Sequence, residues 1–160
     1  MAGRVASLHL HAGPGEPLVA VEAVFAEAGL GLRGSRKYGR KPDGTESKRQ
    51  VSLIEREVLA QHARALGCVI PPGAARSNVE TVGVDLVPLV GRRLMIGEAE
   101  IEVTLARTPC EAMDLVAPGL QEAMRGGRQG VLARVVRSGL IRVGDAIVAL
   151  PSDGEAAGQG

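Results

Sequence analysis

Two cysteines occur in the 160 residues, Cys68 and Cys110, and their neighbourhoods differ. Cys110 follows Thr108-Pro109 and precedes Glu111. A threonine three residues ahead of a glutamate spells a capping box, and Pro109 falls at the first helical position, where its missing N–H costs nothing. The spacing predicts a helix whose second residue is Cys110, with free backbone N–H groups and the positive dipole end beside the sulfur. Such a setting favours thiolate over thiol, and Arg107 adds a full positive charge nearby. The competing reading is a small buried apolar side chain at a strand-to-helix turn, the usual fate of a free cysteine. Cys68, after Gly67 and ahead of Val69-Ile70, reads as buried and inert.

Basic residues are concentrated. Between residues 33 and 49 lie Arg33, Arg36, Lys37, Arg40, Lys41, Lys48 and Arg49 against Asp43 and Glu46, a local balance of +5 in a chain of net charge +1. All three lysines fall here, so a solvated loop and an anion-binding loop are both open. One Tyr, one Phe and no Trp leave too few rings for a base-stacking platform, which argues against nucleic acid. His9 and His11 share a predicted strand face, with no third metal ligand set by spacing. Asn78 and Asp85 fit backbone hydrogen bonding as well as ligand binding, and Asp145 reads as a turn residue. No lysine stands in the apolar context that a Schiff base needs, so pyridoxal phosphate is not expected.

The elements that must position these residues are short. Arg4–His11 alternates as a first strand, Val19–Val21 reads as strand, and Glu22–Ala28 as a short helix ending at Gly29. Ser52-Leu53-Ile54-Glu55 spells a second capping box, predicting a helix that buries Ile54, Val58 and Leu66 and stops at Gly67. Strands are expected over 77–84, 86–90, 93–96 and 100–107, with Gly97-Glu98 as a hairpin turn. Pro118-Gly119 restarts a short helix through Ala123. Val131–Arg137 and Leu140–Val143 read as a hairpin about Ser138-Gly139, and Ala146–Leu150 closes the pattern. No βαβ alternation is read. The expectation is one mainly β (α+β) domain over 1–151, barrel-like, of short, largely antiparallel strands with two or three short helices. Residues 152–160 are expected to be a disordered tail. With two cysteines, no signal peptide and no membrane span, a cytoplasmic protein is expected.

The order of motifs in the chain resembles the MOSC domain family, named for the C-terminal domain of molybdenum cofactor sulfurases. The carriers are Gly31-Leu32-Arg33-Gly34-Ser35-Arg36-Lys37, Arg76-Ser77-Asn78, Arg107-Thr108-Pro109-Cys110-Glu111, Gly126-Gly127-Arg128-Gln129-Gly130 and Gly144-Asp145. Ser35 stands where the family usually has Asp, Lys37 where His is common, and Gln129 replaces the first glycine of a pair. The resemblance implies a β-barrel with Cys110 at a cleft, holding a persulfide or ligating the metal of molybdenum cofactor (molybdopterin).

Both chemistries ask for the same surroundings. Arg107 supports a thiolate, Arg36 and Arg128 are candidate anion partners, Gly34 and Gly130 lie in turns whose backbone N–H groups suit a phosphate, and Asn78 is a further candidate cofactor contact. Three readings follow. The first is a sulfur carrier or sulfurtransferase loaded on Cys110 by a cysteine desulfurase or other sulfur donor and unloaded to an acceptor. The second is a cofactor-dependent reductase of N-hydroxylated compounds, needing a separate electron-transfer partner. The third is a non-catalytic anion- or nucleic-acid-binding module.

Overall fold

The structure is a computed structural model and describes residues 3–151; the tail expectation for 152–160 lies outside them. Eleven strands and three short helices are present among the described residues. They run β1 (Gly3–Leu10), β2 (Val19–Val21), β3 (Ala23–Glu27), β4 (Gly31–Leu32), β5 (Val51–Glu55), α1 (Arg56–Leu66), β6 (Val79–Val82), β7 (Arg93–Ile96), β8 (Ala99–Ala106), α2 (Met113–Val116), α3 (Leu120–Ala123), β9 (Val131–Arg137), β10 (Gly139–Arg142) and β11 (Ala146–Ala149).

Seven strands close into a barrel in the order β11-β7-β8-β9-β5-β6-β1, because β1 pairs with β11 through Gly3–Ile147 and Arg4–Ala146. Every neighbour is antiparallel except β5–β6, which is parallel and connected through α1. That parallel pair is a βαβ unit, contrary to the expectation from sequence. It was hidden because Ser52–Glu55 carries a capping-box spelling while forming β5. All five β5 residues are buried, so pairing to β6 and β9 outweighs the local cap. The helix starts only at Arg56, with Glu55 as N-cap, and stops where expected, at Gly67 in the left-handed region with φ 63°.

Other local expectations yield to pairing in the same way. Ala23–Glu27 is strand, not helix, with Val24 and Ala26 buried against partners β10 and β4. Val87–Leu89 is a 3-10 turn, since Pro88 has no N–H to give a ladder. Ser138-Gly139 is not a hairpin: β9 stays in the barrel, while β10 leaves to pair with β3 in a small second sheet, β10-β3-β4. The Gly97-Glu98 turn joins β7 and β8 as read, with Ile96 opposite Ala99.

The barrel interior holds the main core, including Val5, Leu8, Leu53, Leu94, Ile101, Val135 and Ile141, all nearly inaccessible. A second cluster lies under the helices, where Ile54, Leu59, Ala75, Met113, Leu120 and Met124 pack together. Cys68 packs against it but is only half-buried, less enclosed than the sequence reading expected. A bulge between Val5 and Ser7 breaks the alternation of β1, so Leu8 and His9 are both buried and the strand delivers His11 at its end.

Candidate functional site

One rim of the barrel collects the chemistry. The end of β1 supplies His11, the end of β8 leads to Arg107, and the approaches to β5 and β6 supply Arg49 and Arg76. The loop between β4 and β5 carries Lys37. A cavity of about 170 Å³ is lined by His11, Lys37, Arg49, Ser52, Asn78 and Arg107. A cavity of about 310 Å³ shares Lys37 and Arg49 with it and adds Arg36, Arg40 and Lys41. No acidic side chain lines either cavity. Among the described residues, Arg36, Lys37, Arg49, Arg76 and Arg107 take part in no ion pair.

The cations feel one another. Burial lowers the pKa of Arg107, and Arg76 and Arg49 lower it further, while Cys110 acts in the opposite direction. Lys37, although exposed overall, is pulled below the ordinary lysine value by partial desolvation of its ammonium and by Arg107, Arg49 and Arg36. The Arg107 guanidinium is anchored on the turn before β6, donating to the carbonyls of Arg76 at 3.2 Å and Ala75 at 3.5 Å and to Ser77 Oγ at 3.1 Å. Arg76 is the sole non-glycine residue with positive φ (60°) among those described. That conformation is costly for a residue with a Cβ and clusters at functional sites. Its guanidinium is held by the Glu16 carbonyl at 2.9 Å and faces His11 Nδ1 at 3.4 Å.

His11 is pushed down to about 4, first by burial, then by Arg76, Arg107 and Lys37. An unfolded histidine titrates near 6.5, so below that pH the native state binds fewer protons than the unfolded chain. Stability is therefore lost as pH falls from about 6.5 towards 4. His9, lowered mainly by burial against the opposing pull of Glu80, acts in the same direction. Phosphate in the cavity would offset the three cations. The His11 pKa read by NMR is expected to rise in phosphate relative to chloride at equal ionic strength. An unchanged value would mean that the cavity does not take the anion.

Cys110 is exposed, between Thr108 on the cationic cavity and Ala112 on a larger groove. The predicted helix start is corrected here. Residues 107–110 have no regular secondary structure, and α2 begins at Met113 with Ala112 as N-cap and no side-chain cap. The Cys110 carbonyl instead accepts from Met113 N–H at 3.0 Å, closing a turn ahead of a four-residue helix. Helix-dipole support for a thiolate is accordingly withdrawn; what remains beside the sulfur is Arg107.

The other expected site residues divide. Arg36 lines the cationic region, with its N–H donating to the His11 carbonyl at 2.9 Å. Gly34, φ 85°, permits the turn that aims it. Asn78 reaches the cavity wall, but its side chain ties strands together: Oδ1 accepts from Ser52 N–H at 3.0 Å, and Nδ2 donates to the His9 carbonyl at 3.0 Å. Arg128 is turned towards α1, donating to Gln61 Oε1 at 3.0 Å, and lines neither cationic cavity. Gly130 acts through its backbone, its carbonyl accepting from Arg107 N–H at 3.0 Å. Gln129 is buried outside the positive-φ set, so replacing the family's glycine there adds no strain, although its Oε1 lacks a protein partner. Ser35 is also buried, with an unpartnered hydroxyl.

Sequence reasoning missed His11, Arg49 and Arg76 as one site. His9 is not their companion, since its Nε2 lies on Ser7 Oγ at 2.8 Å, with Glu80 at 3.8 Å. No group of three His, Cys, Asp or Glu residues among those described is placed to hold a metal ion. The basic loop divides too: Arg33 pairs with Glu27 at 2.7 Å and stacks over Phe25, leaving Arg36, Lys37, Arg40, Lys41 and Arg49 to the cavities.

The chain with this closed seven-stranded barrel belongs to the MOSC domain family, whose model matches residues 9–148. Among solved structures it is similar to the YuaD protein from Bacillus subtilis, with a TM-score of 0.79 and 22% identity over 95% of this chain and 98% of that one. It is also similar to YiiM from Geobacillus stearothermophilus, with a TM-score of 0.72 and 18% identity over 93% of this chain and 75% of that one. YiiM from Escherichia coli gives a TM-score of 0.68 and 20% identity over 93% and 70%. No curated protein sequence matches the chain. No helix among the described residues is long and apolar enough to cross a membrane.

Proposed function

We propose that this chain binds an anionic, phosphate-bearing cofactor of the molybdopterin class at the cationic rim, with the Cys110 thiolate as the protein's ligand to the metal. The observation that carries this reading is the set Arg36, Lys37, Arg49, Arg76 and Arg107, gathered without a carboxylate partner beside an exposed thiol. A cluster of like charges raises the energy of the empty site, and a polyanion relieves it. The donor set fits: guanidinium and ammonium groups suit phosphate, and a soft thiolate suits molybdenum. Arg107, Lys37 and Arg49 would hold the anionic groups, with the exposed Cys110 sulfur supplying the soft ligand. Molybdenum held there supplies two-electron redox chemistry, and electrons would come from a separate partner protein.

Persulfide carriage is the second reading, favoured by the exposure of Cys110, which a donor protein could reach. In that step the Cys110 thiolate takes the outer sulfur of a donor persulfide, forming an S–S bond as the donor thiolate leaves. One persulfide carries one charge, far fewer than the cluster can neutralise, so it ranks behind the cofactor.

The deciding experiment is metal analysis of protein made in a cofactor-competent host. Molybdenum near one per chain is expected, falling about tenfold or more in Cys110→Ser with the fold retained. Absence of molybdenum, together with one cyanide-releasable sulfur on Cys110 after incubation with a cysteine desulfurase, would reverse the order.

A further inference from the structure

A groove of about 790 Å³ is lined in part by Ala112, Leu115 and Val116, just after Cys110 in the chain. Its size falls within the range of small-molecule sites, and its walls are mainly apolar. Pro14 and Pro17 precede β2, Pro71 and Pro72 follow α1, and Leu115 and Val116 belong to α2. Proline walls are stiff and offer no N–H, so they present apolar surface without asking for polar partners. Leu115 is 90% exposed, a large aliphatic side chain left open to water at the edge of this groove. Two charged residues line it, Arg36 and Arg76, and no acid does.

No aromatic residue lines the groove. The chain has one Phe and one Tyr; Phe25 lies under Arg33, and the Tyr38 hydroxyl donates to Glu27 at 2.8 Å. Affinity here must come from aliphatic area and from charge, not from stacking. Arg76 is already engaged by the Glu16 carbonyl and His11, whereas Arg36 is exposed and lines both this groove and the 310 Å³ cationic cavity.

We infer that the groove is a second binding site, for a molecule with an aliphatic body and a carboxylate-type anionic head, the head on Arg36 and the body along the proline wall and Leu115. Its wall includes Ala112, two residues along the chain from the exposed Cys110. As a substrate site it rests on the proposal that Cys110 is the reacting centre. As a binding site it stands on the groove alone.

The test is calorimetric or NMR titration of the full chain with octanoate, butanoate and octylammonium. Octanoate is expected to bind about tenfold or more tightly than butanoate, because its longer chain buries more methylenes. It should also bind more tightly than octylammonium, because the rim is cationic. Leu115→Gln should weaken octanoate several-fold without moving the melting temperature, its side chain being exposed. Arg36→Gln should bring octanoate and octylammonium together. Equal binding of octanoate and butanoate, or an unaffected Leu115→Gln variant, would overturn the inference. Molybdenum analysis of the same preparation separates the two claims: octanoate selectivity without molybdenum leaves the groove standing and the cofactor proposal fallen. Molybdenum without octanoate selectivity does the reverse.

Discussion

Gly130→Ala is expected to destabilise the fold by more than about 4 kcal/mol, enough to leave little native protein in mild urea. A Cβ at this position would run into the Leu53 carbonyl oxygen and lie 2.8 Å from Ile54 Cα. Both obstacles are backbone atoms of β5, a fully buried barrel strand, so neither can step aside. The left-handed φ of 74° adds a penalty of about 1 kcal/mol for any residue with a Cβ. Gly126 provides the control. Its φ is 75°, but nothing lies within 4 Å of a Cβ built there. Gly126→Ala should therefore cost only the conformational penalty, about 1 kcal/mol. Urea midpoints of the two variants measure the difference. Similar losses at the two positions would mean that the close approach to β5 has been misjudged. The effect reaches the site, because the Gly130 carbonyl receives the Arg107 N–H where β8 leaves the barrel.

That close approach was legible in the sequence as a glycine-rich turn, but its reason was not. A turn pattern reports backbone freedom, whereas the need for Gly130 comes from β5, far away in the chain. The same division runs through the molecule. Val131–Arg137 and Gly97-Glu98 could be read locally because alternation and a two-residue turn are local properties. Ser52–Glu55 could not, since its helix-start spelling competes with a strand pairing that only β6 and β9 create. At the site, Cys110 and Arg107 are neighbours on one segment and were found together. His11, Lys37, Arg49 and Arg76 belong to three separate segments, and the β1–β6 and β5–β6 pairings bring the ends of those segments to one rim. Arg128 failed as a candidate for the converse reason. Its motif neighbour Gly130 faces the rim, while the Arg128 carbonyl accepts from His62 Nε2 at 2.8 Å and fixes that turn to α1.

Arg107→Met is expected to weaken phosphate binding at the rim by about 100-fold, the loss of one charge-assisted hydrogen-bonding partner of about 1.5–3 kcal/mol. Arg107 is more desolvated than Lys37, so its field on a bound anion is less screened by water. Lys37→Met should weaken binding less, by about tenfold, because its side chain is exposed and more of its field is screened. The two variants should separate further when no anion is present. Lys37 holds its proton less readily than an ordinary lysine because of partial desolvation and the arginines around it, so removing its charge should leave thermal stability unchanged or raised. Removing Arg107 relieves the same repulsion but strands the acceptors at Ala75, Arg76 and Ser77. Arg76, whose positive φ needs the surrounding structure to hold it, then loses a restraint. Phosphate titration by calorimetry, paired with melting curves in anion-poor buffer, reads both effects. A site built for an anion trades empty-state stability for affinity, so lost binding with stability preserved in Lys37→Met is the signature expected of it. Undiminished phosphate affinity in both variants would show that the cluster is only a crowded surface, and the cofactor proposal would lose its main support.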